Sequence, residues 1–417
     1  MKRRVALSDW PLALIALALT AFGIAMVYSA GQVEPGVPNV ARGAWMRQLV
    51  WFVVALAGAY AATRSSVRLL EWATVPAYWF TLALLAVTLV IGQGAGTAAS
   101  MKGWIRLGGF ALQPAELGKL TVVLMLARVL AQRKDPALSL LDLWKPALVV
   151  GAPWLLIMLQ PDLGTGIVFI GIFFGMLFWS GVSWQLLVLL ASPAVSLILA
   201  FNTRLWGAWF FLLLILVLWY KPYLVEGITL VVLNVVMGTV APVLWEGLEP
   251  YQQRRLTVFL DPSADARGAA YHVIQSQVAI GSGGWLGKGF LEGTQKRLAF
   301  LPAQHTDFIF SVVGEELGFI GVTVALLLFS LLFVRIVRVA QRATDTFSSL
   351  IAFGLLSSWF VHVTENVGMT LNLLPVTGIP LPFFSYGGSF LLASWLAIGI
   401  LIRISSEGRG RPGAFSI

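Results

Sequence analysis

Three acids stand together in one polar, glycine-rich stretch of an otherwise apolar chain. Asp261, Asp265 and Asp307 all fall near or within residues 259–310, among basic residues. A carboxylate at a water-facing surface is suited to general-base work, taking a proton from a group that attacks. Asp265 is the leading candidate for the reacting group. It lies in Asp261-Pro262-Ser263-Ala264-Asp265-Ala266-Arg267-Gly268, and the D-P-x-x-D pattern is also a turn signature. Either Asp equally suits the N-cap of a helix over 270–280, where Val273, Ile274, Gln277 and Val278 recur at amphipathic spacing. Gly281-Ser282-Gly283-Gly284 and Gly287-Lys288-Gly289 follow. Their backbone N–H groups and the lysine suit an anion, or they form a plain flexible loop. They are not a Walker A pattern, because no G-K-[ST] follows at the required spacing. His305, beside Asp307, is a general base or an organiser of the helix entrance behind it, where Glu315 and Glu316 lie about two turns further in.

Two more motifs place charge inside apolar runs. Gln113-Pro114-Ala115-Glu116-Leu117-Gly118-Lys119 opens a helix at Pro114, and Glu116 and Lys119, three apart, share its face. Ionisable groups at a membrane edge are functional by default, with a structural ion pair as the alternative. In Gln160-Pro161-Asp162-Leu163-Gly164-Thr165-Gly166, Asp162 reads as the cap of the next helix.

The elements that carry these residues follow from composition. Of 417 residues, 58% are hydrophobic and 11% charged, against roughly 25% charged in a soluble domain. The surface therefore faces lipid. The absence of cysteine excludes disulfides, thiolate nucleophiles and Cys-ligated metals. His272, His305 and His362 are far apart and form no zinc-binding pattern. The net charge of +9 reads as Lys and Arg on cytoplasmic loops rather than as a nucleic-acid surface. Met1-Lys2-Arg3-Arg4 precedes an apolar run too long for a signal peptide and without a small-x-small cleavage site, so the run is an uncleaved first span.

About twelve apolar runs of spanning length are expected. They fall near 11–30, 48–63, 72–92, 114–131, 144–160, 163–181, 184–201, 206–220, 223–244, 308–334, 346–369 and 384–402. For apolar runs of this length, helices are the only reasonable form, each closing its own backbone hydrogen bonds in lipid. The fold class is all-α, a polytopic membrane bundle forming a single integral domain over 1–417. Arg64, Arg68, Arg128, Arg133, Lys145, Lys221, Arg335, Arg338, Arg342 and Arg403 accumulate on the side of the N-terminus. Both termini are then cytoplasmic, and the large loop 245–307 faces outward. Residues 93–112 and 370–388 face the same way. Pro375, Pro380 and Pro382 exclude a single helix from the second of these, which reads as a kinked or re-entrant segment lining a cavity.

Taken together, QPAELGK, QPDLGTG, the D-x-x-G-x-x-Y-x-x-x-Q-S run from Asp265 to Ser276, LPAQHTDFIFSVVGEELG and LLPVTGIPLPFFSYGGS resemble the SEDS family (shape, elongation, division and sporulation). The order and spacing match from the first span to about Arg403. AIGSGGWLGKG followed by GTQ is more similar to the elongation branch, RodA, than to the division branch, FtsW.

The resemblance implies a SEDS fold of about ten core spans. It implies a peptidoglycan glycosyltransferase that polymerises lipid II during cell elongation, in the bacterial cytoplasmic membrane, with its active site on the outer face. It implies Asp265 as the essential acid, Glu116 and Lys119 as residues lining a central cavity, and Arg47 as the basic residue before the second span. Trp104, Gln275, Ser276, Lys288, His305, Asp307 and Ser385 lie in the matching motifs and are further candidates for substrate binding. The implied partners are lipid II, a class B penicillin-binding protein acting as transpeptidase, and the membrane proteins of the elongation complex. A divalent cation, Mg or Mn, is compatible with a carboxylate beside a pyrophosphate, although no dedicated cage is visible in the sequence. Three departures stand out. Gly103 replaces the usual Arg before Trp104, Ala115 replaces a common Ser, and 202–244 carries an extra hydrophobic pair. The alternative from the residues alone is a flippase or transporter built around the Glu116–Lys119 pair and segment 370–388. A non-catalytic scaffold for cell-wall enzymes is a third reading.

Overall fold

The computed structural model describes residues 9–35, 41–94, 101–107, 110–133, 135–248, 253–254, 257–259, 270–301 and 303–408. Asp261, Asp265 and the rest of 260–269 lie outside them. The apolar runs become helices α1 (Trp10–Ala30), α2 (Ala44–Arg64), α3 (Val67–Ile91), α4 (Pro114–Ala131), α5 (Trp144–Leu159), α6 (Leu163–Trp179), α7 (Trp184–Leu199), α8 (Thr203–Tyr220) and α9 (Leu224–Glu246). After α10 (Tyr271–Gly283) and the single turn α11 (Thr294–Arg297) come α12 (Ile309–Gln341), α13 (Thr346–Thr370) and α14 (Gly388–Gly408). Among the described residues, nine helices are long and apolar enough to cross a membrane, and α6 and α7 are shorter apolar helices. The chain is a mostly helical, polytopic membrane protein.

Local chemistry starts many of these helices. Ser66, Asp162, Ser183, Asn202 and Asp345 each accept a backbone N–H from the first turn that follows. Asp162 thus has the capping role its sequence predicts, with the Thr165 N–H 3.0 Å from Oδ1. Burial then sorts the bundle. The apolar windows of α13 and α14 are 67% and 72% buried, against 6% for α8, so α13 and α14 form the centre and α8 lies at the lipid-facing rim. α4, α6 and α12 pack on α13, and α2 lies along α14.

Two features depart from the expected run of helices. Segment 93–112 holds a short antiparallel ribbon among its described residues, β1 (Ile105–Leu107) with β2 (Phe110–Leu112). It stands outside the spans, where backbone groups can pair across strands. α12 extends beyond the expected 308–334 and is broken at Gly318, whose φ of 61° and ψ of −158° are not helical. The loop after α10 fills the break. Phe319 and Ile320 donate their N–H groups to the carbonyls of Gly284 and Trp285, while Lys288 and Gly289 donate to those of Glu315 and Glu316. Two N–H groups and two carbonyls beside the break thus find partners in the loop, as a broken helix in a bundle requires. The glycine-rich loop, read from sequence as an anion cradle or a plain flexible loop, packs here as a fitted plug.

The prolines keep 371–387 out of helix, as expected, and the segment turns back into the bundle with Leu381, Phe383 and Phe384 buried. At the rim, α8 and α9 close on α7 through a dry polar knot. Ser196 Oγ donates to Asn234 Oδ1 at 2.6 Å, Asn234 Nδ2 donates to Ser192 Oγ at 2.8 Å, and the Trp209 indole donates to Ser196 Oγ at 3.0 Å.

Candidate active site

Pro114 at the first position of α4 sets Glu116 and Lys119 on one face of its opening turns, and that face is turned inward. Glu116 is 3% exposed and Lys119 5%. The ammonium lies 2.7 Å from Glu116 Oε2 and 2.8 Å from Nε2 of His362 on α13. It also sits 4.9 Å above the Phe390 ring of α14. Lys119 has donors only, so His362 Nε2 is an acceptor and its proton sits on Nδ1, which donates to the Pro380 carbonyl at 2.9 Å. The ring stacks on Phe390 at 4.7 Å. Gln113, just before α4, donates to Asp162 Oδ2 through its side chain and to Ser389 Oγ through its backbone. The cation is thereby enclosed by α4, α13, α14 and the proline-broken segment.

A second cluster lies further along that segment. The Arg47 guanidinium, in the first turn of α2 and exposed, is 5.5 Å from the Tyr386 ring centroid. The His305 ring lies 5.6 Å from the same ring. Gln48 donates to the Ser385 carbonyl and accepts from the Gly387 N–H. Ser385 Oγ donates to the Thr306 carbonyl at 2.6 Å and accepts from the Leu381 N–H. Its hydroxyl, 2% exposed, shapes the turn. Asn366 of α13 donates to the carbonyls of Asp307 and Ile379, tying the 305–307 turn to the same segment. Burial, reinforced by the nearby Arg47 charge, holds the His305 pKa down at about 4. A neutral imidazole of that basicity is a weak base at neutral pH.

The other expected residues lie elsewhere or serve the frame. Lys288 pairs with the buried Glu315 at 2.8 Å and donates to Thr294 Oγ1. The glycines around it shape the plug at Gly318, and its ammonium, like that of Lys119, is paired with a carboxylate. Ser276 is fully buried, donates to the Thr370 carbonyl and lies 2.6 Å from Ser311 Oγ, fastening α10 to α12 and α13. Gln275 is half-buried beside it. Trp104 forms an isolated backbone bridge with Gln93, next to the β1–β2 ribbon. Next to it, Gly103 is buried, and a Cβ there would come within 2.6 Å of the Met101 side chain. Asp265 lies outside the described residues. Among those residues, no three His, Asp or Glu side chains gather as a metal cage.

Sequence reasoning missed His362, Gln48, Asn366 and Tyr386. For His362 a signal existed: a lone histidine inside an apolar span is an intramembrane ionisable group with a partner to be found.

Comparisons with known proteins agree along the whole chain. The profile of the cell cycle protein family FtsW/RodA/SpoVE matches residues 9–209 and 206–410. The peptidoglycan glycosyltransferase MrdB of Escherichia coli K12 is 36% identical over 402 residues, 96% of this chain and 94% of that protein. The probable peptidoglycan glycosyltransferase FtsW of Trichlorobacter lovleyi is also 36% identical, over 97% of this chain and 94% of its own length. This parity leaves the elongation and division branches unseparated. Among solved structures, a chain from work on structural coordination of polymerization and crosslinking by a peptidoglycan synthase complex superposes with a TM-score of 0.72 at 28% identity. The match covers 96% of this chain and 98% of that one.

Proposed function

The chain belongs to the FtsW/RodA/SpoVE family and is a multi-pass membrane peptidoglycan glycosyltransferase, and from that premise we propose that it polymerises lipid II with Asp265 as general base. In this reading the acceptor sugar hydroxyl attacks the anomeric carbon of the donor. The new C–O bond forms as the bond from that carbon to the diphosphate oxygen breaks. The hydroxyl proton passes to the Asp265 carboxylate, and undecaprenyl diphosphate departs. Lys119 and Arg47 answer the charge that grows on the leaving diphosphate.

The observation that carries the reading is the placement of these two cations. Both are set by the proline-broken segment 371–387, Lys119 through His362 and Pro380, and Arg47 through Tyr386. On this reading both termini are cytoplasmic, and Asp265 works at the outer face of the bacterial inner membrane. The elongation role rests on the AIGSGGWLGKG run. The partner is a class B penicillin-binding protein, in keeping with the synthase complex from which the related structure comes. The chain has no serine-acylation motif of its own, so crosslinking falls to that partner.

The test uses purified full-length protein with its partner and lipid II. Wild type is expected to give glycan ladders and Asp265→Ala none. Ladders from Asp265→Ala remove the base from Asp265. A wild type that moves lipid II across vesicles without polymerising it restores the transport reading of the buried Glu116–Lys119 pair.

A further inference from the structure

We propose that His362 is a positioning residue for the reaction, acting through Lys119. The ammonium of a lysine is a point charge on a flexible four-carbon stem, so its direction must be supplied from outside. Three groups supply it here. Glu116 holds it at 2.7 Å, His362 Nε2 at 2.8 Å, and the Phe390 face lies 4.9 Å away. Glu116 is on the same helix, one turn away, and moves with Lys119. His362 belongs to another helix, and its second nitrogen is fixed on the Pro380 carbonyl at 2.9 Å. The imidazole is therefore the link that registers the cation against segment 371–387, which also sets Arg47 through Tyr386. Phe390 stacks on the imidazole and prevents it from turning aside.

The chemistry at His362 is specific. The side chain must accept from an ammonium on one side and donate to a backbone carbonyl on the other. Neutral histidine does this, and so does the amide of glutamine, whereas leucine fills the space and does neither. His362 is 1% exposed and meets no solvent that could substitute for it.

This inference rests on Lys119 serving glycosyl transfer. The experiment measures lipid II polymerisation by the full chain with its partner, for wild type, His362→Leu and His362→Gln, with thermal unfolding in detergent run on each. His362→Leu is expected to lower kcat roughly tenfold to a hundredfold with KM little changed, because a misplaced group costs rate before it costs binding. His362→Gln is expected to restore most of kcat. Combining His362→Leu with Lys119→Arg is expected to cost less than the product of the two single losses, since both act on one charge. An unchanged kcat in His362→Leu overturns the proposal. So does a folded His362→Gln as slow as His362→Leu, and so does a loss that tracks only the unfolded fraction. If His362→Leu does not fold, His362→Gln against His362→Met carries the same comparison. Ladders from Asp265→Ala would displace the base while leaving the His362 result to stand or fall by itself.

Discussion

Replacing Gly318 with alanine tests the break in α12. At φ 61° and ψ −158° the residue occupies a region essentially reserved for glycine, and a side chain there costs about 1–3 kcal/mol in backbone strain. Space is a second obstacle. A Cβ would lie 2.3 Å from the Gly287 nitrogen and 2.8 Å from the Gly284 carbonyl oxygen, both backbone atoms that cannot rotate away. The plug must therefore shift, and with it go the bonds from Phe319, Ile320, Lys288 and Gly289. Each is worth about 0.5–1.5 kcal/mol net. Losing half of them on top of the strain brings the expected destabilisation of Gly318→Ala to about 2–6 kcal/mol. The matched control is Gly207→Ala in α8, where a Cβ meets nothing within 4 Å. It is expected to be neutral or to stabilise by up to about 1 kcal/mol through helix propensity. Reversible unfolding of the detergent-solubilised proteins reads both. A Gly318→Ala protein as stable as Gly207→Ala would refute the assignment of the break to glycine, and with it the account of loop 284–289 as its seal.

Lys296 and Glu316 are both fully buried, paired with each other and bridged by Ser29 of α1. Lys296→Met should destabilise by about 3–5 kcal/mol because it strands a buried carboxylate, and Lys296→Met with Glu316→Gln should recover much of that in the same unfolding assay. Acid stability reports on His305. Its folded pKa of about 4 lies below its ordinary 6.5, so it contributes nothing above about pH 6.5. Between pH 6.5 and 4 the unfolded chain takes up a proton that the fold refuses, and stability falls, levelling off below 4. The loss is at most about 3 kcal/mol, and less with solvent screening at this half-buried position. Unfolding curves of His305→Asn across pH 4–8 should lack this component, and an unchanged pH dependence would disprove it.

The sequence reading succeeded where a signal is local. Asp162 as a cap, Pro114 as a helix start, and the prolines that bar a helix from 371–387 act within a few residues of themselves. The apolar helices were legible for the same reason, since a long apolar run in lipid closes its own backbone hydrogen bonds as a helix. Partnerships across the bundle were not legible. Lys119 and His362 lie 243 positions apart, and Ser29 and Glu316 lie 287 apart. Nothing near Lys288 in the chain announces that Glu315 will reach it. Gly318 gave no warning either. It is one glycine in an apolar run, and its left-handed backbone becomes necessary only when the loop after α10 arrives beside it.

The knot of Ser192, Ser196, Trp209 and Asn234 bears on how the α8–α9 hairpin can be handled. Cutting the hairpin out and rejoining the chain would leave two serines of α7 turned toward hydrocarbon, stripped of the Asn234 amide and the Trp209 indole that now satisfy them. A viable deletion must also repaint α7, with alanine at both serine positions. The hairpin is thus an annex mortared to its neighbour, and a shortened protein would need that wall refinished before it could meet the membrane.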